Sequence, residues 1–132
     1  MIKITVFKDK QYPVSAKKIK DAVKKTLVEN GIVSDSEASV ALLSHTKVVK
    51  MAKQYLKEKD SLADSHPVLS FPNAEIKKHF VFPPEKKIYL GEIVVSFEKA
   101  VEIAEKEKML IEDSVLSLVE HGSLHLIGIH HD

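Results

Sequence analysis

A chain of 132 residues, 44% hydrophobic and 30% charged, has the composition of one globular domain with a single core and is too apolar for a disordered chain. Its net charge of +1 excludes a strong overall field that would draw in nucleic acid or membrane, and its 20 basic residues are all lysine, so phosphate contacts would be point charges rather than guanidinium forks. With no cysteine, disulfides and thiolate ligands are excluded, and a metal would be held by nitrogen and oxygen.

Ile2, Ile4 and Val6 alternate with Lys3, Thr5 and Phe7, the period of a first strand, which Tyr12-Pro13 ends. The start is too short and polar for a signal peptide, and no apolar run is long enough to span a bilayer, so a soluble, cytoplasmic protein is expected. Ser15 is placed to cap a helix whose apolar stripe is Ile19, Ala22, Val23 and Leu27 and whose stop is Asn30-Gly31. Glu37 to Ser44 predicts a second strand. His45-Thr46 opens a second helix, with Val48, Ala52, Tyr55 and Leu56 expected inward. A lysine-rich loop from Lys57 to Pro67 leads to a short buried strand, Val68 to Phe71, closed by Pro72. Asn73 to Lys87, with Pro83-Pro84, reads as a loop.

Ile88 to Val95 is the longest strand candidate, and Gly91 within it marks a bulge or a close approach of another backbone. Ser96 caps a third helix, Phe97 to Lys108, with Phe97, Ala100, Val101 and Ala104 inward. A fourth helix, from about Asp113 to Ile127, is apolar nearly all round and is expected to be central and buried. The element order predicts an α+β fold: one domain over residues 1–132, a mixed sheet of roughly four strands, four helices, and a metal site at the C-terminal helix.

That site is read from the last dozen residues. His121 and His125 lie four apart, so a helix projects them from one face about one turn apart. Gly128 permits a left-handed exit that can swing His131 back toward them. Three neutral imidazoles around one divalent ion leave a fourth position open, the donor set of a catalytic zinc site rather than a structural one. The spacing matches the extended zinc proteases, His-Glu-x-x-His-x-x-Gly-x-x-His, but their general-base glutamate is here Gly122, which cannot take a proton. A metal cage without peptidase chemistry is expected. Ordinary surface or core histidines are the bland alternative.

Val68-Leu69-Ser70-Phe71-Pro72, Leu90-Gly91-Glu92-Ile93-Val94-Val95-Ser96 and the segment His121 to His131 together resemble the YbeY family of bacterial metal-dependent endoribonucleases, over nearly the whole chain. The resemblance implies His121, His125 and His131 as ligands of one divalent ion, most simply zinc. It also implies a hydrolase cutting single-stranded RNA, with ribosomal RNA or the small ribosomal subunit as partner, in maturation and ribosome quality control. It assigns no residue the catalytic proton transfer and no organic cofactor. The family's usual Asp before the third ligand is here His130, its Gly-Asp is Gly91-Glu92, and its Thr-Asp before the buried strand is His66-Pro67. Where relatives carry an arginine, this chain has only Lys57 and Lys59 nearby. That absence motivates a second reading, a non-catalytic ribosome assembly factor with a structural or vestigial metal site; a small zinc metallohydrolase is a third.

Other residues carry weaker expectations. His130 is off the ligand spacing, His45 and His66 are loop residues that could line a cleft, and His79 sits in the proline-rich stretch. Ser70 is read as a small polar residue in a buried strand. Lys17, Lys18, Lys20, Lys24 and Lys25 form either a phosphate-binding patch or a solvated helix face. Glu92, Glu120 and Asp132 are candidate carboxylate partners for the histidines, unranked by sequence.

Overall fold

The computed structural model describes residues 1–73 and 88–129. In chain order these form β1 (Ile2–Lys8), α1 (Ala16–Glu29), β2 (Ser36–Leu43), α2 (His45–Tyr55), α3 (Asp60–Ala63), β3 (Val68–Pro72), β4 (Ile88–Ser96), α4 (Phe97–Glu107) and α5 (Ile111–Leu126). The expected α+β architecture is present, with one helix more than expected: α3 interrupts the lysine-rich stretch between Lys57 and Pro67. The rest of the Asn73–Lys87 loop, with His79, and His130, His131 and Asp132 lie outside the described residues.

The sheet runs β1-β2-β4-β3. β1 pairs parallel with β2 and β2 parallel with β4, while β3 runs antiparallel along the outer edge of β4. Side chains alternate between faces along each strand, so the sheet separates two cores. On one face Ile4, Ala38, Val40, Leu42, Ile93 and Val95 pack against Ile19, Val23 and Leu27 of α1, Ala100 of α4, and Val115, Val119 and Leu126 of α5. On the other, Ala41, Leu43, Leu69 and Val94 meet Val48 and Ala52 of α2 and Ala63 of α3.

The β2–β4 register slips between Glu37 and Ala38, which pair with Tyr89 and Gly91 and leave Leu90 as an extra residue. This bulge turns Leu90 into the first core. Gly91, at φ +137, has no room for a side chain: a Cβ would stand 2.3 Å from the Phe71 carbonyl oxygen and 2.9 Å from Leu126 Cδ2. Both readings of Gly91, bulge and close approach, therefore hold.

Helix ends follow local chemistry. Ser15 Oγ accepts from the Lys18 N–H and Ser96 Oγ from the Lys99 N–H, each supplying a cap that the helix cannot make internally. The second strand stops one residue short of the expected Ser44, which begins α2 without a side-chain cap. Remote carboxylates serve instead: the Ser44 N–H donates to Asp9 Oδ2 at 3.0 Å and the His45 N–H to Glu98 Oε2 at 2.7 Å. Asp9 also accepts from the Tyr12 hydroxyl at 2.7 Å and lies 3.1 Å from Lys47 Nζ. Burial alone would raise the Asp9 carboxyl, but these donors outweigh it and hold its pKa at about 2.

Two expected core residues face outward. Tyr55 is 59% and Leu56 43% exposed, because both follow Ala52, the last buried residue of α2; the Tyr55 ring meets Phe71 edge-on at 5.9 Å. α5 is the central helix expected, packed against α1, α4, β3 and β4. Its burial is one-sided, however: Val115, Val119, Gly122, Ser123 and Leu126 are sealed while Glu120 is exposed.

Candidate functional site

α5 brings His121 and His125 together. Their rings lie 4.4 Å apart between centroids with planes tilted by 47°, as the four-residue spacing predicts. Both side chains are half-buried, and the Nε2 atom of His125 is shut off from solvent.

The helix presses this pair onto the sheet through Gly122. A Cβ there would stand 2.6 Å from Ile93 Cγ2 and 3.3 Å from Ser70 Oγ, so only glycine allows this approach. Ser70 uses the contact, its hydroxyl donating to the Gly122 carbonyl at 3.2 Å and tying β3 to the helix between the two histidines. The position that carries a general-base glutamate in zinc proteases thus faces packed sheet. A carboxylate there would be driven into Ile93 rather than toward the histidines.

The end of α5 is a Schellman motif. The Gly128 N–H donates to the His125 carbonyl at 3.1 Å and the Ile129 N–H to the Leu124 carbonyl at 2.9 Å, with Gly128 at φ +83. The left-handed exit expected of Gly128 is therefore present. His131, the third expected ligand, lies outside the described residues, and among the described ones no three His, Cys, Asp or Glu side chains gather at one point.

Several candidates lie elsewhere. Glu92 cannot reach the histidines: its neighbour Ile93 meets Gly122, so Glu92 points through the opposite face, where it lines a cavity with Met51, Tyr55 and Phe71. His45 is a structural link, its Nδ1 2.9 Å from Ser96 Oγ and its Nε2 3.0 Å from Asp64 Oδ1. His66 Nε2 sits 2.7 Å from Glu58 Oε1. Lys57 takes a left-handed conformation at φ 57 after α2, and Lys59 precedes α3. The basic face of α1 is largely neutralised: Lys17 pairs with Asp21, Lys25 with Glu29, and Lys18 with Glu112 at 2.8 Å. Hydrogen bonding from Lys18 leads the interactions that hold Glu112 below the usual carboxylate range, and the Ser15 N–H adds to it, so this contact fastens α1 to the start of α5. Sequence reasoning missed the anchoring roles of Ser70 and Asp9, because both depend on partners distant in the chain.

These features define a class: a single α+β domain whose C-terminal helix sets a histidine pair against an antiparallel edge strand. The chain belongs to the YbeY endoribonuclease family, whose profile, described as Endoribonuclease YbeY, matches residues 4–132. It is 36% identical over 116 residues to the Endoribonuclease YbeY of Caldanaerobacter subterraneus, covering 84% of this chain and 71% of that protein. It is 34% identical over 119 residues to that of Caldicellulosiruptor saccharolyticus, covering 88% and 73%. The solution structure of a Thermotoga maritima protein shares the fold, with a TM-score of 0.57 and 24% identity over 98% of this chain and 75% of that one. No helix among the described residues is long and apolar enough to cross a membrane.

Proposed function

We propose that this protein is a metal-dependent endoribonuclease that cuts single-stranded RNA during ribosomal RNA maturation and ribosome quality control in the cytoplasm. It holds one divalent ion, zinc by preference, through His121, His125 and His131. The observation that carries this reading is the histidine pair, with rings 4.4 Å apart on a helix locked to the sheet, in a chain of the YbeY endoribonuclease family.

The donor set fits the ion. Neutral imidazoles suit a borderline-soft divalent metal, and the burial of His125 Nε2 keeps water from competing for that nitrogen. When bound, the ion supplies Lewis-acid polarisation of an anionic phosphodiester. The protein's own contribution is rigidity and charge. Ser70 and Gly122 fix the helix that orients His121 and His125, and the Schellman turn at Gly128 sets the direction in which the chain leaves toward His131. Lys57 and Lys59 supply cations to the RNA backbone as point charges.

The test is metal analysis of purified protein together with cleavage of a labelled single-stranded RNA. Wild type is expected to carry one zinc per chain and to cut, and His125→Ala to lose both. Equal cleavage by the two proteins would assign the activity to a contaminant and overturn the proposal.

A further inference from the structure

On the face of the sheet opposite the histidines, Met51 and Tyr55 of α2, Phe71 of β3 and Glu92 of β4 line an open cavity of about 400 Å³, the size of a small-ligand pocket. Its walls are chemically uneven. Tyr55, 59% exposed, packs edge-on against Phe71, the ring planes at 73° and the centroids 5.9 Å apart. Beside them Glu92 supplies a carboxylate that makes no hydrogen bond or ion pair among the described residues. Lys50 directly precedes Met51 and Lys57 follows Tyr55 by two residues; both are exposed and neither is ion-paired among the described residues. Lys47 and Lys53, by contrast, are engaged by Asp9 and Asp60.

An aromatic face, one hydrogen-bonding group and cations on the flanking chain are the three parts that recognise an unpaired base in RNA: stacking, edge readout and phosphate contact. A lone carboxylate selects among bases by what it can accept. Guanine presents two parallel donors, N1–H and N2–H, to the two carboxylate oxygens, whereas uracil offers only N3–H and sets carbonyl oxygens beside the negative charge. We propose that this cavity is a base-reading site for an unpaired guanine of the RNA substrate, with Glu92 as the specificity-determining residue and the exposed Tyr55 ring, braced edge-on by Phe71, as its stacking surface.

The site rests on the endoribonuclease reading for its substrate but not for its chemistry. Its position suits one strand of RNA engaging both faces. β3 is an edge strand, and consecutive residues on it point to the two sides, Ser70 to the histidine helix and Phe71 into the cavity. RNA crossing that edge places a guanine in the cavity a few nucleotides from the bond over the histidines.

The experiment measures binding with metal chelated, so that cleavage plays no part. Two labelled RNAs of equal length are compared, an all-uridine strand and the same strand with one central guanosine, by fluorescence anisotropy. Wild type is expected to bind the guanosine strand roughly tenfold tighter. Glu92→Gln, which replaces one acceptor oxygen with a donor, is expected to abolish that ratio, and Tyr55→Leu to weaken both strands several-fold. An unchanged ratio in Glu92→Gln, or no preference in wild type, overturns the base-reading site. If Tyr55→Leu binds both RNAs as wild type does, the cavity serves another partner, such as a protein, and the proposal falls. Guanosine-selective binding without cleavage after metal is restored would instead refute the endoribonuclease reading and leave the cavity assignment standing.

Discussion

Two glycines in this chain have the same local geometry and different predicted consequences. Gly128 after α5 and Gly31 after α1 have φ of +83 and +90, and in both cases a Cβ would meet nothing within 4 Å. Both close Schellman motifs: the Gly31 N–H donates to the Val28 carbonyl at 3.1 Å and the Ile32 N–H to the Leu27 carbonyl at 3.1 Å, as Gly128 and Ile129 do on α5. Alanine at either position therefore incurs left-handed strain of about 1 kcal/mol without any clash. For a chain of this size that is a fall of roughly 4 °C in Tm where the strain stays in the folded domain, as at Gly31. Only at Gly128 does the strain fall on the segment leading to His131. Gly128→Ala lets that turn relax in the metal-free protein and re-form on binding, so it is expected to weaken zinc binding by about fivefold in a chelator-competition titration, since 1 kcal/mol corresponds to that factor, with a smaller loss of metal-free Tm, while Gly31→Ala binds zinc as wild type does. Equal zinc affinity in the two variants would refute the argument that the turn positions His131, the proposed third ligand.

Three further outcomes follow from contacts within the fold. Gly122→Ala forces a methyl against Ile93 Cγ2, where the gap is 2.6 Å, and is expected to cost about 1–3 kcal/mol in denaturant unfolding; stability equal to wild type would mean that the helix can lift off the sheet freely. Ser70→Ala removes the hydrogen bond to the Gly122 carbonyl and is expected to cost about 1 kcal/mol by the same measurement. Because the Asp9 pKa falls from 3.8 to about 2 on folding, its ionised form stabilises the protein above roughly pH 4 and this contribution is lost as pH drops toward 2. The stability difference between wild type and Asp9→Asn should thus narrow by about 2 kcal/mol between pH 5 and pH 2, and a difference independent of pH would contradict the assigned anchoring role.

The sequence by itself determined whatever depends on neighbours along the chain. The Ile19, Val23 and Leu27 stripe, the Ser15 and Ser96 caps, the left-handed exit at Gly128 and the pairing of His121 with His125 are products of helical period and backbone sterics. The family was legible for the same reason, since its motifs are short and contiguous. Only tertiary structure decided which side of the sheet each residue serves. Glu92 and Ile93 are adjacent in sequence, yet the pleat sends one into the cavity beneath α2 and the other against Gly122. Tyr55 fits the inward stripe of α2 by period, but it lies past Ala52, the last buried residue of that helix, and is 59% exposed. Gly122 looks like a lost catalytic glutamate in sequence, while in the fold it is the contact that lets the histidine helix lie close on β4. Such assignments depend on strands far apart in sequence meeting in one register, and no local pattern encodes that meeting.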